Sequence, residues 1–266
     1  MGHTTDTAMN GMPTLRTDLA HGVATRVIRR ERKGSSSPVV AETTDGPRFV
    51  KLHGASQGTA PLAAEIIVGE LADAIGLSVP ERSFVELPTG IPSDDQNDEL
   101  RDLLDRSAGT NLGFALLEGG RDLTASEFGS ANLVTAARVL WLDILVQNLD
   151  RTPRNANLMM RRGTIWLIDH GACLPFQHDW SSITESHPER GYDIEGHVFG
   201  WASPVLSDVH AQCAPLLTRE VLRAAAQPVP DAWIGGDATR RREGFAAFLW
   251  KRLAAMERLF KAPEGA

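Results

Sequence analysis

Cysteine is scarce, positive charge is not in excess, and no long apolar run occurs. Each shortage excludes a class of protein. Cys173 and Cys213 are the only two cysteines. They show no repeated spacing, so neither a disulfide framework nor a cysteine-rich zinc site is supported. The 27 Lys and Arg residues are outnumbered by 34 Asp and Glu, for a net charge of -7. A dedicated nucleic-acid binder usually carries a basic excess, so direct nucleic-acid binding is not expected. Two local basic clusters, Arg29-Arg30-Glu31-Arg32-Lys33 and Arg240-Arg241-Arg242, read as solvated surface. With no run of about 18 apolar residues, no membrane span is expected. The first residues are polar and lack the charged-then-apolar pattern of a signal segment. A soluble, cytoplasmic protein is the expectation. There is no Gly-x-Ser-x-Gly elbow for acyl transfer, no Gly-x-Gly-x-x-Gly loop, no Walker motif and no internal repeat.

What is present supports a packed globular chain. Hydrophobic residues make up 42% of 266 positions, enough for one large domain or two lobes sharing a core. Residues 1–14 lack periodicity and read as a flexible tail. Arg26–Arg29 is a short strand candidate. "VVAETTDGPRFVKLHG" reads as a hairpin turned at Asp45-Gly46. "PLAAEIIVGELADAIGLSVPE" is a helix, with Pro61 in its first turn, Gly76 as its C-terminal cap and Pro80 beyond. It is apolar almost all round, except at Glu65, Glu70 and Asp73, so it belongs between layers. "RSFVELP" reads as a strand and Asp98–Arg106 as a short helix. "NLGFALLEGGRDLT" is a strand reaching Leu117, then Glu118-Gly119-Gly120, whose paired glycines mark a hinge or sharp turn. Thr124 and Glu127 have capping-box spacing. Ala131–Leu149, Thr218–Ala226 and Thr239–Lys261 read as helices, and residues 176–205 show no clear period. The layout is a strand-rich first half with one main helix, then a helix-rich second half interrupted by one hairpin.

That hairpin lies in "NLDRTPRNANLMMRRGTIWLIDHG", Asn148 to Gly171. Asp150 follows a long buried helix. Asn157 leads directly into an apolar strand, Arg162-Gly163 turns the chain, and Asp169 ends the returning strand. Asn157 and Asp169 therefore come to one edge, with Asp150 and Asn155 in the loop approaching it. Hard oxygen donors of this kind suit Mg²⁺. A second carboxylate nearby can orient a hydroxyl or accept its proton. The set matches the needs of phosphoryl transfer: oxygen ligands for the metal and a carboxylate for the nucleophile. Asn155 and Asn157 both remain candidates for the metal ligand, and direct entry into the strand favours Asn157. His170, Cys173 and His178 are close in sequence, but no convincing fourth ligand completes a zinc site.

The stretch resembles the catalytic and metal loops of the protein-kinase-like superfamily. Asp150-Arg151, followed by Asn-Ala-Asn and an apolar strand, is similar to the phosphatidylinositol-kinase branch, and Ile168-Asp169-His170-Gly171 resembles an Asp-Phe-Gly segment. The Asp-Arg-Thr-Pro-Arg-Asn spelling and the "WLIDHG" that follows most resemble HipA-like kinases of the compact actinobacterial type. The resemblance covers most of residues 25–260. It implies an α+β, bilobal protein-kinase-like fold: a β-rich N-lobe over 15–117, a hinge over 118–123 and a mostly helical C-lobe over 124–266.

The resemblance also implies roles. Lys51 pairs with a helix glutamate, Glu65 rather than Glu70, and presents its ammonium to the α- and β-phosphates. Gly34, Ser35, Ser36 and Ser37 form the phosphate-covering loop, where small residues let backbone N–H groups approach an anion. Backbone groups of Glu118 and Gly119 contact the adenine. Asp150 orients or deprotonates the acceptor hydroxyl, Asp169 with Asn155 or Asn157 holds Mg²⁺, and Arg151 or Arg154 steadies the γ-phosphate. The resemblance implies Asn155 by its spacing from Asp150. Strand alternation puts Phe49 on the face of Lys51, toward the nucleotide. The expected activity is ATP- and Mg²⁺-dependent transfer to a protein Ser/Thr, with self-modification of Ser35–Ser37. The alternatives are a small-molecule or lipid kinase, nucleotidyl transfer, or a pseudokinase acting through a regulatory protein partner. The expected partners are thus a nucleotide and a protein or small-molecule hydroxyl acceptor.

Overall fold

The computed structural model describes residues 18–30 and 37–261, and the expected tail over 1–14 lies outside them. The first half builds a barrel from β1 (Ala20–Arg30), β2 (Val39–Thr43), β3 (Arg48–Lys51), β4 (Arg82–Leu87) and β5 (Gly109–Ala115). The strand order is β1-β2-β3-β5-β4, closed by a parallel pairing of β1 with β4. Closure satisfies the edge N–H and C=O groups that an open sheet would leave exposed. Val27, Val39, Val50 and Val85 fill the interior together with Leu100, Leu103 and Leu104 from α2 (Asp98–Arg106). Those leucines recur at helical spacing, which gives the short helix one apolar face. The expected β2–β3 hairpin is present, with Gly46 at φ 92° in its turn.

α1 (Ala60–Ala74) runs as its sequence signals demand, with Pro61 at the start and Gly76 at φ 76° beyond its end. It is buried on nearly every face. Glu70 and Asp73 both accept from the Arg82 guanidinium, at 2.8 and 2.6 Å, so the charges of this helix other than Glu65 have structural partners. Gly69 makes that possible: a Cβ there would lie 2.6–2.7 Å from the Arg82 guanidinium atoms.

The second half contains β6 (Arg121–Asp122), α3 (Ala125–Phe128), α4 (Leu133–Val146), β7 (Leu158–Arg161) and β8 (Thr164–Leu167). α5 (Leu206–Cys213), α6 (Arg219–Ala226), α7 (Asp231–Ile234) and α8 (Ala238–Lys261) follow. β6, β7 and β8 form a separate three-stranded sheet. Residues 168–205 hold only short 3₁₀ turns, in keeping with their lack of period. The fold is α+β. Its large apolar core is continuous from α1 and the outer face of the barrel, including Phe84, Leu112 and Phe114, through α4 to α8. α1 packs against α4, α6 and α7, and its Glu65, Glu70 and Asp73 pair with Lys51 of β3 and Arg82 of β4, so it is tied to both halves. No helix among the described residues is long and apolar enough to cross a membrane.

Candidate active site

Lys51 is the last residue of β3, and its side chain leaves the barrel toward α1. Val50 points into the barrel while Phe49 and Lys51 share the outer face, where Phe49 meets Phe114 edge-on at 6.3 Å. The Lys51 ammonium lies 2.5 Å from Glu65 Oε1 and 2.7 Å from Asp169 Oδ1. Burial alone would lower the Lys51 pKa, but the two carboxylates outweigh it and hold the ammonium above its ordinary value. For Glu65, burial would raise the pKa; Lys51 and His170 reverse that and hold it below the usual carboxylate range. Glu65 is further fixed by His170, whose backbone N–H donates to Oε1 at 2.9 Å and whose Nδ1 lies 3.3 Å from Oε2. One helix carboxylate thus ties the lysine strand to the segment that carries Asp169.

Asp169 follows β8 with φ 57°, and Asn157 precedes β7 with φ 49°. These left-handed conformations suit Asn and Asp better than most residues. Leu158 pairs with Leu167, and the Ile168 N–H donates to the Asn157 carbonyl at 3.1 Å, so Asn157 and Asp169 flank one sheet end. Asn155 sits two residues out, in a turn closed on Thr152. Its amide donates to Asp150 Oδ2 at 2.8 Å, and that of Asn157 reaches the same oxygen at 3.4 Å. Both amide oxygens consequently point away from Asp150.

A cavity of about 370 Å³ opens here, with Lys51, Asp150, Asp169, Gly171 and His178 in its wall; Glu65, Asn155 and Asn157 are not part of that wall. One ammonium (Lys51) faces three carboxylates (Glu65, Asp150 and Asp169), which leaves two negative charges around it. A polyphosphate would be repelled there unless a cation came with it. The free donors are hard oxygens, the type a divalent hard cation takes. The residues therefore fit Mg²⁺. The zinc alternative does not assemble: among the described residues no three of His, Cys, Asp and Glu gather as a metal site. Both cysteines are buried free thiols.

A model of the HipA-like kinase family matches residues 24–258. The chain belongs to this family. It is a kinase. No curated protein matches the sequence. Among solved structures, a Helicobacter pylori proinflammatory kinase, CtkA, superposes with a TM-score of 0.54, covering 88% of this chain and 95% of that one at 11% identity. At that identity the likeness carries the fold alone.

Not every expected residue of the kinase site lines the cavity. Of the expected phosphate loop, Gly34, Ser35 and Ser36 lie outside the described residues; Ser37 is held by Arg30, whose Nη2 donates to its Oγ at 2.8 Å. β5 ends at Ala115, two residues before the expected strand end, and Glu118 and Gly119 form a turn away from the cavity wall. The Glu118 carbonyl accepts from Arg161 Nε at 3.0 Å, which ties the turn to β7. Arg151, expected beside the γ-phosphate, is 1% exposed and absent from the cavity wall. Its Nε donates to Asp143 at 2.6 Å, and its Nη1 donates to the carbonyls of Ala156 at 3.2 Å and Asn157 at 2.6 Å, which ties down the loop.

The hub of that arrangement, Asp143, was not readable as functional because it sits in an apolar helix. It is fully buried, and three donors converge on it: Arg151 Nε, Asn148 Nδ2 at 2.9 Å and His197 Nε2 at 2.9 Å. The Phe199 N–H donates to His197 Nδ1 at 3.0 Å, which leaves the imidazole proton on Nε2, facing Asp143. Burial would raise the Asp143 pKa, but Arg151 and His197 bring it down to about 2. Tyr192 closes the far side, its hydroxyl donating to the Asn148 carbonyl at 2.5 Å. His170, weighed in the sequence only as a zinc candidate and as part of the Asp-Phe-Gly-like segment, instead holds Glu65, and His197 holds Asp143.

Proposed function

We propose that this kinase transfers the γ-phosphoryl group of ATP, with Mg²⁺, to a protein Ser or Thr hydroxyl. The observation that carries the reading is the Lys51 ammonium held between Glu65 and Asp169, with Asp150 on the same cavity. Lys51 holds the α- and β-phosphates, and Glu65 keeps it in place. Asp169 and Asn157 supply metal oxygens, since both flank the end of the β7–β8 hairpin; Asn155 holds the Asp150 carboxylate in position through its amide. A Mg²⁺ ion held by these oxygens would supply charge neutralisation to the phosphates. Asp150 accepts a hydrogen bond from the acceptor hydroxyl, orients it and takes its proton as the new P–O bond forms and the γ-phosphorus bond to the ADP leaving group breaks. The reading divides the chain into lobes over 15–117 and 124–266 about a hinge at 118–123, with backbone groups of Glu118 and Gly119 reaching the adenine as the cleft closes on nucleotide. It places Gly34–Ser37 over the phosphates, where the three serines become sites of self-modification.

The test pairs two measurements. Thermal stability is followed with ATP and Mg²⁺ for wild type and Asp169→Ala. The wild type should be stabilised only when both are present, and the variant should lose that response. Intact-mass spectrometry after incubation should then show phosphate-sized additions, with Ser35–Ser37 among the sites. Additions the size of AMP, or no stabilisation of the wild type, would overturn the reading.

A further inference from the structure

A second, larger cavity abuts the first. It occupies about 1050 Å³ between residues 177–188 and the first half of α8, and His178 lines both cavities. His178 is therefore shared by the wall of the active-site cavity and the wall of this groove. The volume exceeds the roughly 300–1,000 Å³ typical of small-ligand sites.

The groove is built rather than incidental. Trp180 lies over Gly244 of α8, where a Cβ would come within 2.7 Å of its ring. Phe176 at 5.5 Å and Phe245 at 4.9 Å hold the same ring edge-on, and Arg241 stands over it at 5.6 Å. The rim at 188–190 is pinned by the buried Arg252, which donates to the carbonyls of Pro188 at 3.0 Å and Arg190 at 2.8 Å. Residues on both sides are thus fixed by packing and charge-assisted hydrogen bonds.

The charges of the groove are unequally committed. Asp179 accepts from the Ser181 hydroxyl at 2.6 Å, Asp237 accepts from the Arg240 backbone N–H at 3.0 Å, and Glu185 pairs with Lys251. Each lining carboxylate already has an internal partner. Arg240 is exposed and lines the groove, yet its guanidinium has no partner among the described residues. Asp179 and Asp237 keep their charge but spend acceptor oxygens on internal donors, so Arg240 is the lining charge left open to an incoming side chain, on a chain whose net charge is -7.

We infer that this groove binds the acceptor as an extended polypeptide carrying acidic residues beside the modified Ser or Thr, with Arg240 reading the acidic side chain. This deepens the phosphotransfer reading and rests on it. A segment lying along Trp180 would pass His178 and bring its hydroxyl to Asp150. An acidic flank would meet Arg240, where opposite charges favour encounter and like charges oppose it.

The experiment uses the full chain and paired Ser/Thr peptides, identical except for Asp or Lys residues flanking the hydroxyl. Binding is read by fluorescence anisotropy and transfer by mass spectrometry with ATP and Mg²⁺. The Asp-flanked peptide should bind roughly tenfold more tightly than its Lys-flanked twin, and Arg240→Glu should reverse the order. Arg240→Glu should leave stabilisation by ATP and Mg²⁺ as in wild type, because Arg240 lies outside the nucleotide cavity. Equal binding of the two peptides, binding of neither, or an unchanged preference in Arg240→Glu would overturn the groove assignment. Transfer to phosphoinositide vesicles that ignores Arg240→Glu would do so as well. Failure of the phosphotransfer reading looks different: nucleotide and metal then fail to stabilise the wild type, while the peptide comparison still decides the groove.

Discussion

Replacing Asp143 by asparagine removes one oxygen and one charge from the centre of the catalytic-loop scaffold. In the native site Oδ2 accepts from Arg151 and His197 while Oδ1 accepts from Asn148. An amide offers one oxygen and one NH₂. If the oxygen faces Arg151 and His197, the NH₂ confronts the Asn148 amide. Asn148 cannot simply flip, because its Oδ1 already accepts the Asp150 N–H at 3.1 Å. The Arg151 guanidinium, with no exposed side-chain surface, would also lose the one carboxylate that pairs with it among the described residues. Breaking one partner of a buried ion pair costs about 3–5 kcal/mol. For a chain of this size that is a fall in Tm on the order of 6–20 °C. The expected result is a drop of that size in thermal and denaturant unfolding of Asp143→Asn, with a change in midpoint and little change in m-value. Replacing Asp143 and Arg151 together by apolar residues of similar volume should recover part of the loss, since no orphaned charge remains. Loss of less than about 1 kcal/mol in Asp143→Asn would refute the hub argument. pH gives an independent check. The folded pKa of Asp143 is about 2 against an ordinary 3.8. A depressed carboxylate contributes stability that is present above its unfolded pKa and lost as pH falls through the folded one. Wild-type stability should therefore decline between about pH 4 and pH 2, by about 2 kcal/mol more than in Asp143→Asn.

Three further predictions follow from the site and the barrel. Lys51→Met should lower phosphoryl transfer by a factor on the order of 10²–10³, measured by initial rates, because it removes the cation aimed at the phosphates; near-native rates would exclude a phosphate role for Lys51. Titration of activity with Mg²⁺ should show Asn157→Ala needing far more metal than wild type, whereas Asn155→Ala should lower kcat at an unchanged metal requirement; the opposite split would move the metal ligand to Asn155. Gly69→Ala should destabilise the fold by about 1–3 kcal/mol in denaturant unfolding, because its methyl would overlap the Arg82 guanidinium; an unchanged midpoint would show that Arg82 moves aside freely.

Much of the site was legible because its chemistry is local. Asp150, Asn155, Asn157 and Asp169 fall within one short segment, and a hairpin needs only its own register to bring both ends together. The helix α1 was legible for the same reason: Pro61, Gly76 and an all-round apolar surface fix its limits and its burial. The choice between Glu65 and Glu70 was not, since both lie on a helix with no distinguishing period. Arg82 decided it from a distant strand by taking Glu70, which leaves Glu65 to Lys51.

The sequence by itself determined the class of protein, the main elements and the set of oxygen donors, because these depend on composition, on period and on neighbours along the chain. Tertiary structure alone decided what long-range pairing controls. It closed the barrel through β1 and β4, and it ran one core through α1 into both halves. It drew Arg151 inward to Asp143, although an arginine beside Asp150 reads in the sequence as a phosphate contact. A buried guanidinium must find acceptors, and Arg151 finds a carboxylate in the apolar helix α4, where nothing in the local pattern marks it.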